Sequence, residues 1–175
     1  MGAASVSGVG RVMGVYLADA AGLPMRSVQA AVAVAGQGLA GDRYQTGTGE
    51  WCYDRRLYDD VTLIASEALD AAGAEHGVHL QGGVARRNVE TCGVDLQALV
   101  GRHFHIGEVV LHGNRPCEPC RYLDQVTGQP AKATLNGRGG LRASVITGGA
   151  LRVGDSVLVQ PATWSGDQEA AAGGG

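Results

Sequence analysis

His103-Phe104-His105-Ile106-Gly107-Glu108-Val109-Val110-Leu111-His112 reads as two short strands paired around Gly107, and this stretch decides the fold class. The same grammar recurs outward from it. Val61-Thr62-Leu63-Ile64 reads as a buried strand and residues 88–92 as another. Residues 143–146 and 156–159 close the pattern, with Val153-Gly154-Asp155 as the turn between them. Upstream, residues 10–17 and 27–35 carry alternating or continuous Val and Ala. They read as two strands joined through Ala20-Ala21-Gly22-Leu23-Pro24, a hairpin-like start. The sequence has 29 glycines and only 5% aromatics, which suits short strands and glycine turns better than long helices.

Helices are few and short. Ser66 is placed to cap one that runs through Ala68, Leu69, Ala72 and Ala74 and stops near Gly77, with Glu67 in its first turn. Asp95 caps a single turn through Leu96 and Leu99 that ends at Gly101. A short helix follows Pro119 through Tyr122 and Leu123, and another spans residues 130–135. These helices do not alternate with strands in βαβ fashion. The expected fold is therefore mainly β with peripheral helices, an α+β chain built on a distorted mixed β-barrel rather than a doubly wound parallel sheet. One domain over residues 10–160 is expected, preceded by a flexible N-terminus (residues 1–9) and followed by a disordered Ala/Gly-rich tail (residues 161–175).

Bulk charge narrows the partners. A net charge of −3 gives no general attraction to polyanions, so neither nucleic acid nor a membrane surface is expected as a partner. No run of 18 apolar residues is present, the first nine residues lack a signal-peptide pattern, and Cys52, Cys92, Cys117 and Cys120 make no disulfide framework. The expected compartment is the reducing cytoplasm and the expected ligand a small molecule. Thirteen of the 14 basic residues are arginine, Lys132 being the exception, and arginine offers a planar fork for phosphate or carboxylate.

Gly36-Gln37-Gly38-Leu39-Ala40-Gly41 spells the dinucleotide fingerprint, but Asp42-Arg43-Tyr44-Gln45-Thr46-Gly47 gives no apolar helical face behind it. A glycine-rich turn inside a long loop over residues 36–60 is the expectation instead. Asp59-Asp60 is no acid–base pair, since neighbours on a strand point to opposite faces. Cys117-Glu118-Pro119-Cys120 is the sharper signal, because a thiolate is the soft, nucleophilic ligand that molybdenum, zinc and sulfur transfer require. Arg115 and Arg121 flank it and favour the thiolate, as would a helix opening near Pro119. By residue type alone the motif divides among metal ligand, redox pair, nucleophile and buried cysteine. A structural zinc site would need two further ligands beyond the isolated Cys52, Cys92 and His112. Arg86-Arg87-Asn88 either grips a phosphate or forms a solvated strand end. Gly137-Arg138-Gly139-Gly140 reads as a flexible turn, and His103 and His105 as ordinary strand residues.

Taken in order, Gly41-Asp42-Arg43-Tyr44, Val61-Thr62-Leu63-Ile64, Arg86-Arg87-Asn88-Val89, Gly93-Val94-Asp95-Leu96, Arg115-Pro116-Cys117-Glu118-Pro119-Cys120 and Val153-Gly154-Asp155 resemble the MOSC family over about residues 10–160, each string weak alone and specific in series. The resemblance is to the small stand-alone bacterial members. It implies a MOSC-like barrel and the molybdenum cofactor (molybdopterin), with Cys120 as catalytic residue and molybdenum ligand. It also implies cofactor contacts from Asp42, Arg43, Arg86, Arg87, Asn88, Arg115 and Cys117.

Two functions follow from the resemblance. One is an enzyme that reduces N-hydroxylated or other N–O substrates with electrons from an external reductase. The alternative is a carrier on which Cys120 holds a persulfide or the cofactor, received from a donor protein. A zinc-bound structural module is a third reading. No pyridoxal phosphate is expected on this chain alone, because the aminotransferase-like domain of the long sulfurases is absent and Lys132 is a poor Schiff-base candidate.

Overall fold

The computed structural model describes residues 9–159, so the expected flexible start and low-complexity tail fall, apart from Val9, outside the described residues. Seven strands close into a mixed barrel. In ring order these are β11 (Ser156–Val159), β7 (His103–Ile106), β8 (Val109–Pro116), β9 (Leu141–Thr147), β5 (Val61–Ala65), β6 (Val89–Cys92) and β1 (Gly10–Leu17). The ring is sealed where β1 pairs with β11 at Gly10↔Val157, and β5 with β6 runs parallel while the other pairs are antiparallel. Closure removes the open edges that an eight-residue strand such as β8 would otherwise present. β2 (Arg26–Val28) adds to the free side of β1, and a small second sheet joins β10 (Gly149–Arg152), β3 (Ala30–Val34) and β4 (Gly38–Leu39).

The decisive hairpin lies where expected, with His103 opposite His112 and Ile106 opposite Val109. Alternation then sorts its side chains: Phe104, Ile106, Val109 and Leu111 are fully buried in the barrel, while His103, His105 and His112 stay half-exposed outside it. β5 is buried on both faces. Leu63 points into the barrel, whereas Ile64 joins a second apolar cluster with Leu69, Leu80, Leu123 and Leu135. That outer cluster seats α2 (Ser66–His76), α3 (Arg121–Thr127) and α4 (Ala131–Thr134) on one flank of the barrel, and so fixes where α3 begins.

Two expectations need correction, and one strand carries no signal in the sequence. Residues 27–35 are not one strand: the chain crosses between sheets at Gln29, whose carbonyl accepts from Val153 N at 3.0 Å, leaving β2 on β1 and β3 on β10. β10 itself has no sequence signature, because Gly148 and Gly149 lack the side chains that mark a strand. Their smallness admits the neighbouring chain, since a Cβ on Gly148 would lie 2.5 Å from the Ala33 carbonyl oxygen. Ser66 is not the cap of α2. Ala65 holds that position and the Ser66 hydroxyl donates to Glu90 Oε1 at 2.7 Å, while Glu67 accepts from Gly93 N at 2.7 Å. No helix among the described residues is long and apolar enough to cross a membrane.

Candidate functional site

Three distant segments meet in one cleft at the start of α3. Its walls include Arg43 and Trp51 from the long loop, Arg86 and Arg87 ahead of β6, and Cys117 and Cys120. Each wall has a local cause.

The loop wall hangs on Asp42, which is wholly buried and caps α1 (Arg43–Thr46). One carboxylate oxygen accepts from Tyr44 N at 3.1 Å and the other from Ala18 N at 2.9 Å and Arg43 Nη1 at 3.3 Å. Arg43 then reaches across to donate to the Arg86 carbonyl at 3.0 Å, with its guanidinium 4.3 Å from the Tyr44 ring centre. Tyr44 stacks on Tyr58 at 5.9 Å, and Arg55 covers the far ring at 4.7 Å. This column, two stacked rings flanked by two cations, replaces the apolar stripe that the segment lacks.

The neighbouring arginines behave differently. Arg87 donates to three carbonyls, Gly139 at 3.0 Å, Ala85 at 3.0 Å and Cys117 at 3.4 Å, and so ties its own segment to the cysteine loop. Arg86 has a left-handed backbone, φ +61°, an uncommon conformation for a residue other than glycine. One of its terminal nitrogens bonds to the Leu23 carbonyl, while Nη2 is buried with no partner. Burial, then the nearby Arg43 charge, holds the Arg86 pKa below the ordinary arginine value.

Cys117 is buried at 2% exposure. Its amide donates to the Gly140 carbonyl at 2.8 Å and its own carbonyl accepts from Arg87. Cys120 is half-exposed, lies just ahead of α3, and accepts from Leu123 N at 3.0 Å through its carbonyl. Among the lining residues that were not expected from the sequence are Trp51, Tyr122 and Arg142, together with the acidic Glu50 and Glu118. The Tyr122 hydroxyl and Arg142 Nη1 are, with Arg86 Nη2, the buried side-chain polar atoms without a partner among the described residues. Burial opposes the charge on Arg142, yet its pKa is held above the ordinary value by the charges of Cys117, Tyr44, Asp59 and Cys120. β8 and β9 place Arg142 opposite Arg115, a like-charge pairing that depends on the strand register and that the sequence alone does not reveal.

The structure does not bring all the expected residues to the cleft. Arg115 turns away from it, pairing through Nε and Nη2 with Asp59 Oδ2 at 3.1 and 3.0 Å. Asn88 is fully buried elsewhere, accepting from Thr62 N and Oγ1 at 3.1 Å each and donating to the Tyr16 carbonyl at 3.1 Å, a stitch between β1 and β5. Asp42 acts through Arg43 and does not line the wall. Asp59 and Asp60 diverge, the latter accepting from Val145 N at 2.9 Å and pairing with Arg55. Among the described residues no three His, Cys, Asp or Glu side chains come together to hold a metal ion, which removes support from the zinc-module reading.

The family model for the MOSC domain matches residues 56–158. Among solved structures, the chain is similar to the YuaD protein from Bacillus subtilis (TM-score 0.72, 19% identity, 86% of this chain and 95% of that one). It is also similar to YiiM from Geobacillus stearothermophilus (TM-score 0.66, 12% identity, 87% and 75%). YiiM from Escherichia coli has a TM-score of 0.61 and 16% identity, covering 89% of this chain and 72% of that one. At these identities the likeness shows the fold. No curated protein matches the chain.

Proposed function

This chain belongs to the MOSC domain family, one linked with molybdenum-cofactor binding, and from that premise we propose that its cleft holds the cofactor and acts on N-hydroxylated or other N–O substrates. The observation that carries this reading is that Arg86, Tyr122 and Arg142, each with a buried polar atom that lacks a partner, line the same cleft as Cys120. Leaving buried donors unpaired costs about 1–3 kcal/mol each, so their convergence suits an anionic group such as the pterin phosphate.

In this reading Arg86, Arg142 and Tyr122 hold the phosphate, and Arg43 and Arg87 keep the walls in register through carbonyl bonds. Cys120 supplies the protein sulfur to the metal, and Cys117, almost without exposure, supports the loop that presents it. When bound, the cofactor supplies two-electron redox chemistry able to remove the oxygen of an N–O bond, with electrons drawn from a separate reductase. Protein made in a cofactor-producing host is expected to retain molybdenum and reduce an N-hydroxy base, and C120S to lose both. Wild-type protein that stays metal-free and inactive after cofactor addition contradicts the reading.

Cys117 and Cys120 share one cleft, and this favours a second reading in which Cys120 carries sulfur received from a donor protein. Mass spectrometry after loading with a sulfur donor then shows an adduct of about 32 Da that C120S abolishes. Absence of the adduct removes the carrier reading.

A further inference from the structure

Residues 47–60 form no helix or strand, and the bonds that hold them sit at the two ends of the segment. At the near end Thr48 donates through its amide to the Arg43 carbonyl and through Oγ1 to the Asp19 carbonyl, each at 2.9 Å. At the far end Arg115 donates to the Arg56 carbonyl at 3.3 Å, and Arg55 pairs with Asp60. Between these anchors the chain is held by short-range bonds: Cys52 N to Gly49 O at 3.2 Å, Asp54 N to Trp51 O at 3.3 Å, and Cys52 Sγ to Arg43 O at 3.6 Å.

Trp51 is carried on this weakly tied stretch and lines the cleft. Its centre lies 6.5 Å from Tyr122 at an interplanar angle of 77°, and 6.5 Å from Tyr53, which is 75% exposed. Tyr122 lies two residues beyond Cys120 and carries one of the unpartnered hydroxyls. The bulkiest ring on the cleft wall therefore packs against Tyr122 through an aromatic contact.

We propose that Trp51 is the size-selecting residue of the cleft: its indole forms a displaceable wall between solvent and Cys120, passing flat or slender molecules with an anionic end and turning bulky ones away. The inference stands on the geometry of the cleft and is independent of what Cys120 binds. It therefore fails or survives separately from the cofactor reading.

The test compares two maleimides that share one reactive group, N-methylmaleimide and fluorescein maleimide, on the full chain, with alkylation followed site by site by peptide mass spectrometry. Half-exposed Cys92 on β6, outside the cleft, is the internal reference. In the wild type the small reagent is expected to outpace the bulky one more strongly at Cys120 than at Cys92. In W51A that selectivity at Cys120 falls about ten-fold, the equivalent of about 1.4 kcal/mol, and W51F, which keeps an aromatic edge, falls between. The same selectivity at Cys120 in the wild type, W51F and W51A overturns the proposal. So does a loss that appears equally at Cys92, since that marks general loosening of the fold.

Discussion

The interior of the barrel and the wall of the cleft are built on opposite rules, although β9 serves both. Inside the barrel Leu141, Ala143 and Val145 are buried among Leu63, Phe104 and Leu111, where apolar surface meets apolar surface and the backbone is paired strand to strand. On the cleft side the same strand supplies Arg142, whose Nη1 is buried without a partner, as is one polar atom each of Arg86 and Tyr122 in the same lining. One region is complete as it stands, whereas the other leaves polar atoms of Arg86, Tyr122 and Arg142 unpaired, the feature on which the proposed ligand site rests. Unpartnered polar atoms gathered at one place are what a binding site costs a fold.

Substitutions that probe stability and ligand retention separately can break this contrast. The largest loss is expected inside the barrel, where Phe104→Ala should cost about 3–5 kcal/mol in urea unfolding because a fully buried ring leaves a cavity. A value under about 1 kcal/mol would mean that the interior is not close-packed. Next comes Asn88→Ala, expected to cost about 2–3 kcal/mol by stranding the groups of Thr62 and Tyr16 that it joins. The same change should leave molybdenum retention in the surviving folded protein intact, since Asn88 is a stitch rather than a contact.

The cleft arginines sharpen the contrast in the other direction. Arg86→Met and Arg142→Met are expected to move unfolding free energy by no more than about 1 kcal/mol of either sign, because each removes a buried nitrogen that lacks a partner, a gain set in Arg86 against the loss of its bond to the Leu23 carbonyl. Both should lower molybdenum content sharply. Arg87→Met, which strands three carbonyls, is expected to destabilise more than either.

The smallest effect concerns the hairpin. The ring centres of His103 and His112 lie 4.8 Å apart, and burial, followed by the charge of His112, holds the His103 pKa below the ordinary 6.5. A depressed histidine pKa means that the folded chain binds fewer protons than the unfolded one, so its stability falls as pH drops below 6.5. His103→Gln should therefore lessen the acid-side loss measured by thermal unfolding between about pH 7 and pH 5, and an unchanged profile would dismiss the effect.

Legibility in the sequence follows the same division. The barrel was readable because Phe104 and Ile106, then Val109 and Leu111, obey a period set by the pleat itself. β10 was not, because its pairing with β3 depends on small residues that fit a neighbour and have no preference of their own. In the cleft, Arg86, Arg87 and the two cysteines stand in short local motifs and could be singled out. Arg142, Tyr122 and Trp51 become neighbours only through the β8–β9 register, the docking of α3 and the path of residues 47–60, none of which is encoded locally. The expected contacts from Asn88, Asp42 and Arg115 show the converse: residues within reach in sequence were claimed by backbone amides, a carbonyl and Asp59.

The claim that the cleft is completed by a metal group bonded to Cys120 is tested most directly by molybdenum X-ray absorption on protein isolated from a cofactor-producing host. The account predicts a sulfur contribution to the metal's coordination that disappears in C120S and persists in C117S. An absorption spectrum identical in the wild type and C120S would contradict it.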